Sequence, residues 1–318
     1  LAAMTRLTTE PTHLPGGAAT DESARRGRPS DVTDPVRVTV SLTPEQLTWL
    51  DEQPADSRSQ ALRQAIDAVR DVPAAAPPVD LDAANNQLAD ASAQDVVRWA
   101  AEQFGDRLVM STSFGVQSAV MLHLVTRIVP DIPIIFIDTG FAFLDTYKFA
   151  DDLTDRLGLN LKVYQAPHSS AWTLARHGKL WEQGVEGMSK LDQIHKVEPM
   201  NRALDELRAV ATLAGLRRGQ TEHRRNLPHV VQQRGRYKVH PILTWSSKDV
   251  HDYLKQHDLP FHPLHEGGYA SIGDWYNTLP ITADQHEREG RFGGLKQECG
   301  LHVPGSREED ESRYSSGL

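Results

Sequence analysis

Hydrophobic and polar positions follow two different patterns along the chain. Residues 36–42 alternate strictly, with valine or leucine at each even position and polar side chains between them, which predicts a half-buried strand. The next four residues, Thr-Pro-Glu-Gln at 43–46, are typical of a helix start with a threonine cap and a proline in the first turn. Apolar spacing from Ser57 to Val69 predicts a second short helix.

Beyond residue 80 the pattern changes to short apolar runs separated by helical stretches. A helical pattern covers 81–104 and ends at Gly105. It is followed by predicted strands at 107–110, 132–138, 161–164 and 213–216, with predicted helices at 116–129 and 146–157. Uniformly apolar strands separated by helices predict an α/β fold with a doubly wound, mainly parallel sheet.

Composition suggests how the chain is divided. Residues 1–34 hold few large apolar side chains and are expected to be disordered. The strand-helix-helix appendage takes 35–71, and a proline- and alanine-rich linker takes 72–80. The main domain is expected at 81–302, before an acidic, flexible tail at 303–318.

Charge and cysteine content exclude several functions. No apolar run approaches the roughly 18 residues of a membrane span, and the first residues lack a secretory pattern, so we expect a soluble, cytoplasmic protein without a membrane partner. A net charge of −9 argues against a chain devoted to nucleic acid but permits a local basic pocket. Because Cys299 is the only cysteine, an all-cysteine iron–sulfur cluster or zinc site within one subunit is excluded, and we expect no metal.

Candidate binding residues lie where the predicted strands end. Ser111, Ser113 and Gly115 follow the first strand, in a turn that would expose backbone N–H groups to an anion; an ordinary serine-rich helix cap fits the spacing equally well. Asp138 follows the second strand, where it would bind a ribose or base, or cap the next helix. Four arginines within 217–225 predict an anion site, against the alternative of a solvated charge run.

The lone cysteine has two interpretations. Most single cysteines behave as small buried hydrophobic residues. Cys299, however, lies in the polar, glycine-flanked segment Glu-Cys-Gly-Leu-His, where His302, Lys296 or the arginine-rich segment would supply the positive charge that a reactive thiolate needs.

Five separated motifs together resemble the phosphoadenylyl-sulfate (PAPS) reductases, members of the adenine nucleotide alpha-hydrolase-like group, over about 82–302. The motifs are Ser-Thr-Ser-Phe-Gly at 111–115, Asp-Thr-Gly at 138–140, Leu-Trp-Glu-Gln-Gly-Val-Glu-Gly at 180–187 with Lys-Val-Glu-Pro-Met-Asn-Arg-Ala-Leu at 196–204, Gly-Leu-Arg-Arg at 215–218, and Glu-Cys-Gly-Leu-His at 298–302.

The resemblance implies reduction of PAPS to sulfite in assimilatory sulfate reduction. The Cys299 thiolate would attack the substrate sulfur and displace adenosine 3′,5′-bisphosphate, leaving an S-sulfocysteine. Thioredoxin or glutaredoxin would then free sulfite, because a chain with one cysteine has no resolving thiol of its own. The family further implies a homodimer without a bound cofactor.

Matching positions assign roles to individual residues. Ser111 and Ser113 would hold the nucleotide, and His302 would bind substrate or tune the thiol. The residues implied to neutralise the phosphosulfate and the 3′-phosphate are Lys196, Arg217, Arg218 and Arg224. The family usually offers threonines and a basic residue just after 273–274, where this chain has Asn277-Thr278, so Arg291 is a candidate replacement.

Three alternatives remain from the sequence. Relatives that use adenylyl sulfate hold a four-iron cluster on a Cys-Cys pair and a Cys-x-x-Cys; here 191–192 and 274–277 contain no cysteine, which favours PAPS, although cluster-free adenylyl-sulfate reductases exist. An ATP pyrophosphatase would need a Ser-Gly-Gly-x-Asp-Ser loop, which 111–118 lacks. Residues 35–71 resemble ribbon-helix-helix repressors, which implies either DNA binding on a degenerate reductase or a dimerisation arm.

Overall fold

The computed structural model describes residues 42–53, 57–62, 78–282 and 288–292. The chain divides into two compact units, Leu1–Asp67 and Ala68–Leu318. The finer division into appendage, linker, reductase domain and tail stays a prediction.

The first unit contains the predicted capped helix. Helix α1 spans Pro44–Asp51, and Thr43 and Gln46 form a reciprocal capping box, as the sequence predicts. Residues 58–62 are helical, at the start of the second predicted helix. Residues 36–41 of the predicted strand and the rest of that second helix lie outside the described residues, so the ribbon-helix-helix hypothesis stays a prediction.

The second unit begins with two helices where the sequence predicts one. Helix α2 spans Leu81–Leu88 and helix α3 spans Ala93–Phe104. Asp80 caps α2, and Ser92 caps α3 by accepting from the backbone N–H of Asp95. The prediction of a single helix over 81–104 is therefore wrong, because the Ser92 side chain caps the N-terminus of a second helix. Gly105 ends α3 as predicted.

A six-stranded sheet forms the centre of this unit. Its strands are β1 Leu108–Thr112, β2 Ile134–Ile137, β3 Leu161–Tyr164, β4 Ala211–Leu213, β5 Val230–Gln233 and β6 Arg236–Val239. The spatial order is β3-β2-β1-β4-β6-β5, and every neighbouring pair is parallel except β5 with β6. The predicted mainly parallel α/β fold is confirmed.

Helices cover both faces of the sheet. The remaining helices of this unit are α4 Ser118–Thr126, α5 Leu144–Leu157, α6 Ser170–His177, α7 Gly184–Asp192, a π-helical segment Gln193–Val197, α8 Glu198–Glu206 and α9 Ser247–Gln256. Met110 and Ile134 belong to the large core that includes α3, α4 and α5, whereas Val109 and Ile135 pack with Ala203 of α8. Successive residues of each strand point to opposite faces, so both faces must be apolar.

Two elements differ from the sequence prediction near β4. The predicted strand at 213–216 shares only Leu213 with the observed β4, and the chain leaves the sheet after it. The β5–β6 hairpin was not predicted at all. Its turn consists of Arg234 and Gly235, both with positive φ (53° and 74°), which suits a tight hairpin turn. Alternation in Arg-Tyr-Lys-Val at 236–239 was the available signal.

A buried histidine makes the stability of the second unit depend on pH. The Nδ1 atom of His262 accepts a hydrogen bond from the backbone N–H of Leu264 at 3.1 Å, and burial lowers the pKa of His262 from 6.5 to about 4, although Asp145 opposes this. The unfolded chain therefore takes up a proton at higher pH than the folded one. The contribution of neutral His262 to the free energy of unfolding should be fully present above pH 6.5. It should be lost as the pH drops to about 4.

Urea unfolding at about pH 7.5 and about pH 5 measures this effect. We expect a lower midpoint at the acidic pH, and a smaller difference between the two in His262→Gln, which cannot take up the proton. Part of the difference should remain, because burial also lowers the pKa of His240 to about 4. An unchanged pH difference in His262→Gln would contradict the assignment.

Candidate active site

A cavity of about 340 Å³ lies at the carboxyl ends of β1, β2 and β4. Six residues expected from the sequence contribute to its walls: Ser111, Ser113, Gly115, Lys196, Arg224 and Arg291. Among the described residues, three other candidates do not line it: Asp138, Arg217 and Arg218. The structure thus brings together the loop after β1, the helical segment before α8 and one residue of the arginine-rich segment.

The loop after β1 is shaped by a strained phenylalanine. Phe114 has φ 46°, a conformation rare for bulky residues, and its ring is fully buried edge-on against Phe136 with centroids 5.1 Å apart. Its backbone N–H donates to Thr112 Oγ1 at 3.1 Å. The loop does not act as an ordinary serine-rich helix cap, because the N-cap of α4 is Gln117 and its side chain makes no capping bond.

Asp138 organises the turn after β2. Its Oδ1 accepts from the backbone N–H of Gly140 at 2.8 Å and from the Tyr147 hydroxyl at 2.6 Å, and its Oδ2 accepts from Gln165 at 2.6 Å. It does not cap the following helix, since α5 begins after Phe143 without a side-chain cap. The carboxylate stabilises Gly140 in its left-handed conformation (φ 70°).

Lys196 reaches the cavity from the π-helical segment between α7 and α8. Such segments occur often at functional sites. The ammonium lies 2.9 Å from Asp192 Oδ1 and 2.7 Å from Asp274 Oδ2, with only 12% of the lysine side chain exposed. Burial alone would raise the pKa of Asp274, but Lys196 and the hydrogen bonds to the carboxylate hold it below its ordinary value.

The arginine-rich segment splits between two environments. Arg217 is 2% exposed and donates through Nη2 to Gln117 Oε1 at 2.6 Å and through Nη1 to Ser247 Oγ at 3.3 Å. Arg224 is also buried and bonds through Nη1 to Gln220, at the cavity wall. Arg218 is exposed and donates to the carbonyl of Leu227.

Arg291, the replacement suggested by the sequence, lies in the cavity wall. The backbone of Arg291 forms an antiparallel bridge with Thr278, and the Arg291 Nη2 atom donates to Asn277 Oδ1 at 3.4 Å. The guanidinium packs against Gly273, where a Cβ atom would lie 2.1 Å from Nη2. Glycine at 273 is therefore required for Arg291 to occupy this position.

Sequence reasoning missed several residues of the cavity. Asp274 contributes its carboxylate, and the β5–β6 hairpin contributes Arg234, Arg236 and Lys238. The alternating pattern of 236–239 is the sequence signal for the hairpin residues. Asp192 pairs with Lys196 four residues later, a spacing typical of ion pairs on a helix, but no helix is predicted there from the sequence. No local pattern connects Asp274 with Lys196.

Cys299 and His302 lie outside the described residues, so their roles stay predictions. Within the described ranges, no group of three or more His, Cys, Asp or Glu side chains is arranged to hold a metal ion. None of the helices in that part of the chain is both long and apolar enough to cross a membrane.

Comparisons with known proteins place these features in one family. The family model described as "Phosphoadenosine phosphosulfate reductase domain" matches residues 107–280, more than half of the chain. The chain belongs to the phosphoadenosine phosphosulfate reductase family. The resemblance drawn from the five motifs is confirmed, and the matched range contains β1 through β6.

Individual relatives agree with this assignment. The chain is 58% identical over 242 residues to the phosphoadenosine 5′-phosphosulfate reductase of Synechocystis sp., covering 76% of this chain and 97% of that protein. It is 52% identical over 231 residues to the enzyme of that name from Xylella fastidiosa, covering 73% and 98%. The crystal structure of PAPS reductase from Candida auris, a phosphate complex, matches with a TM-score of 0.58 at 30% identity, covering 65% of this chain and all of that one.

Proposed function

We propose that this protein reduces PAPS to sulfite and adenosine 3′,5′-bisphosphate in sulfate assimilation. The observation that carries the proposal is the cavity at the carboxyl edge of the sheet. It combines a loop of hydroxyl and glycine residues with the cations Lys196, Arg224 and Arg291, in a chain of the PAPS reductase family. Cations converging on a sheet edge suit a substrate that carries phosphate and sulfate groups.

Cys299 is the proposed nucleophile. Its thiolate attacks the substrate sulfur, the bond between that sulfur and the phosphate oxygen breaks, and the bisphosphate leaves with the electron pair. The sulfonate stays on the enzyme as S-sulfocysteine. Cys299 follows Phe292 by seven residues, so a fully extended connection spans at most about 25 Å from residue 292, next to the cavity.

An external dithiol protein completes the reduction. One of its thiolates attacks the Cys299 sulfur, releases sulfite and forms a mixed disulfide; its second thiol then restores the Cys299 thiolate and leaves the partner oxidised. Thioredoxin or glutaredoxin is the proposed reductant, since the chain has no second cysteine. A cytoplasmic homodimer without a bound cofactor remains part of the proposal.

The cations act on the charge that moves during the first step. When the sulfur–oxygen bond breaks, negative charge grows on the phosphate oxygen that leaves. Lys196 and Arg224 at the cavity wall are suited to stabilise that charge, because neither has to leave water when the reaction occurs. This is electrostatic stabilisation by preorganised groups.

A side-by-side assay of sulfite release with thioredoxin, using PAPS and adenylyl sulfate, tests the proposal. We expect kcat/KM for PAPS to be higher by about 10- to 100-fold, because charge-assisted hydrogen bonds to the 3′-phosphate contribute about 1.5–3 kcal/mol. A preference for adenylyl sulfate would support the alternative that this protein is an adenylyl-sulfate reductase without an iron–sulfur cluster. Release from neither substrate would contradict the proposed function.

A further inference from the structure

One buried ammonium in the cavity wall faces two buried carboxylates. Lys196 Nζ lies 2.9 Å from Asp192 and 2.7 Å from Asp274, whose side chains are only 4% and 5% exposed. Taking such charges out of water costs much of what their attraction returns, so the arrangement is weak evidence for stability alone. The second carboxylate, Asp274, lies in the lining of a cavity proposed for an anion, which suggests a functional reason for its place there.

The two carboxylates are placed differently. Asp192 ends α7, four residues before Lys196 on the same helical stretch, where a pair of this kind forms locally. Asp274 comes from a separate segment, far along the chain from Lys196, and is itself a lining residue of the cavity. Lys196 thus has one partner on its own helical stretch and one partner that lines the cavity.

Asp274 is held in place by bonds to both of its oxygens. Oδ1 accepts from Thr139 Oγ1 at 2.5 Å, and Oδ2 accepts from the Tyr276 hydroxyl at 3.0 Å as well as from Lys196. Thr139 follows β2, and Tyr276 lies in the 3-10 turn Trp275–Asn277. The carboxylate therefore joins three segments that meet at the cavity.

The backbone around Asp274 is anchored as well. Asp274 forms an antiparallel bridge with Ala142, and the N–H of Trp275 donates to the carbonyl of Phe141 at 3.0 Å. Behind it, the Tyr276 ring stacks on Trp181 with centroids 5.1 Å apart. Because these contacts fix the position of the Asp274 carboxylate, the carboxylate sets the position of the longer, more flexible Lys196 side chain.

We propose that Asp274 is a positioning residue, which holds the Lys196 ammonium at the cavity wall where the leaving phosphate of the substrate would lie. The inference rests on the proposed function of the cavity. Without the charge of Asp274, Lys196 would pair with Asp192 on its own helix and withdraw from the substrate. The role of Asp274 is therefore exerted through Lys196.

Asp274→Asn removes the charge and keeps the shape of the side chain. We expect kcat for sulfite release from PAPS to fall about 10- to 100-fold, with KM changing by less than about threefold, because Lys196 acts on charge that develops only in the transition state. The matched control is Asp252→Asn, an exposed carboxylate that pairs with Lys248 on α9. It should leave kcat and KM unchanged.

A double-mutant cycle with Lys196→Met separates positioning from a general structural role. Residues that act through each other are not additive, so Asp274→Asn should change kcat by less than about threefold in the Lys196→Met background. Tyr276→Phe, which removes one bond to the carboxylate and keeps its charge, should lower kcat by about threefold and also lose its effect in that background. It serves as the test if Asp274→Asn does not fold.

Wild-type protein in the same assay separates two kinds of failure. If wild type releases no sulfite from PAPS, the proposed function is contradicted, and this inference with it. If wild type is active, then unchanged kcat in Asp274→Asn, or losses that multiply in the double mutant, overturn the positioning role alone. If Asp274→Asn cannot be obtained folded, Tyr276→Phe takes its place. Unchanged kcat in Tyr276→Phe, or losses that multiply when it is combined with Lys196→Met, then overturn the positioning role.

Discussion

Cys299→Ser is expected to reduce sulfite release by at least about 10³-fold while the binding of adenosine 3′,5′-bisphosphate changes by less than about twofold. A serine hydroxyl is essentially un-ionised at neutral pH and a poor nucleophile, whereas a thiolate forms readily near positive charge. No other thiol in the chain can replace it. Sulfite release with thioredoxin measures the first quantity, and titration calorimetry measures the second.

The covalent step has a direct test by intact mass. Wild-type protein mixed with PAPS in the absence of reductant should gain the mass of one SO₃ group, and addition of thioredoxin should remove it. Cys299→Ser is the matched control and should gain nothing. Full activity of that variant, or an unmodified wild-type mass after bisphosphate has been released, would end the proposal for Cys299.

Arg217→Ala is expected to lower the free energy of unfolding by about 3 kcal/mol. The side chain is 2% exposed, and its guanidinium bonds to Gln117, Ser247 and the Trp245 carbonyl. Truncation removes these bonds and opens a cavity at the position of the buried guanidinium. For a unit of this size the melting temperature should fall by roughly 6–12 °C, measurable by differential scanning calorimetry.

The neighbouring arginine provides the control for this prediction. Arg218 is exposed and donates to the Leu227 carbonyl, so Arg218→Ala should change the free energy of unfolding by no more than about 0.5 kcal/mol. The sequence implies instead that Arg217 contacts the substrate. An Arg217→Ala protein with wild-type melting temperature and strongly weakened binding of adenosine 3′,5′-bisphosphate would favour that direct contact over the structural role.

Most of the fold was predictable because the central strands β1, β2 and β4 are largely buried on both faces. Runs such as Ile134–Ile137 are apolar throughout, and the helices between them have ordinary periodicity. The hairpin was missed because its strands are short and partly polar, with Arg236 and Lys238 alternating with Tyr237 and Val239. The break between α2 and α3 was missed because apolar spacing continues past Ser92, although its cap decides the local structure.

The sequence predicts which types of residue form the candidate site, but not which individual side chains line it. Basic and hydroxyl residues after strands indicate an anion site, yet spacing does not tell which side chain faces the cavity. Arg217 and Arg218 are adjacent in sequence, but one is buried among Gln117 and Ser247 and the other is exposed. Neither lines the cavity, whereas Arg291, far along the chain, does.

The sequence by itself determined the class of protein. Apolar periodicity predicts the α/β sheet, the order of five motifs indicates the PAPS reductase family, and the single cysteine excludes an internal resolving thiol. Only the tertiary structure decided that Asp274 pairs with Lys196 and that Arg217 is buried without lining the cavity. Such contacts join segments distant in sequence, and their energies depend on burial and geometry that exist only after the chain has folded.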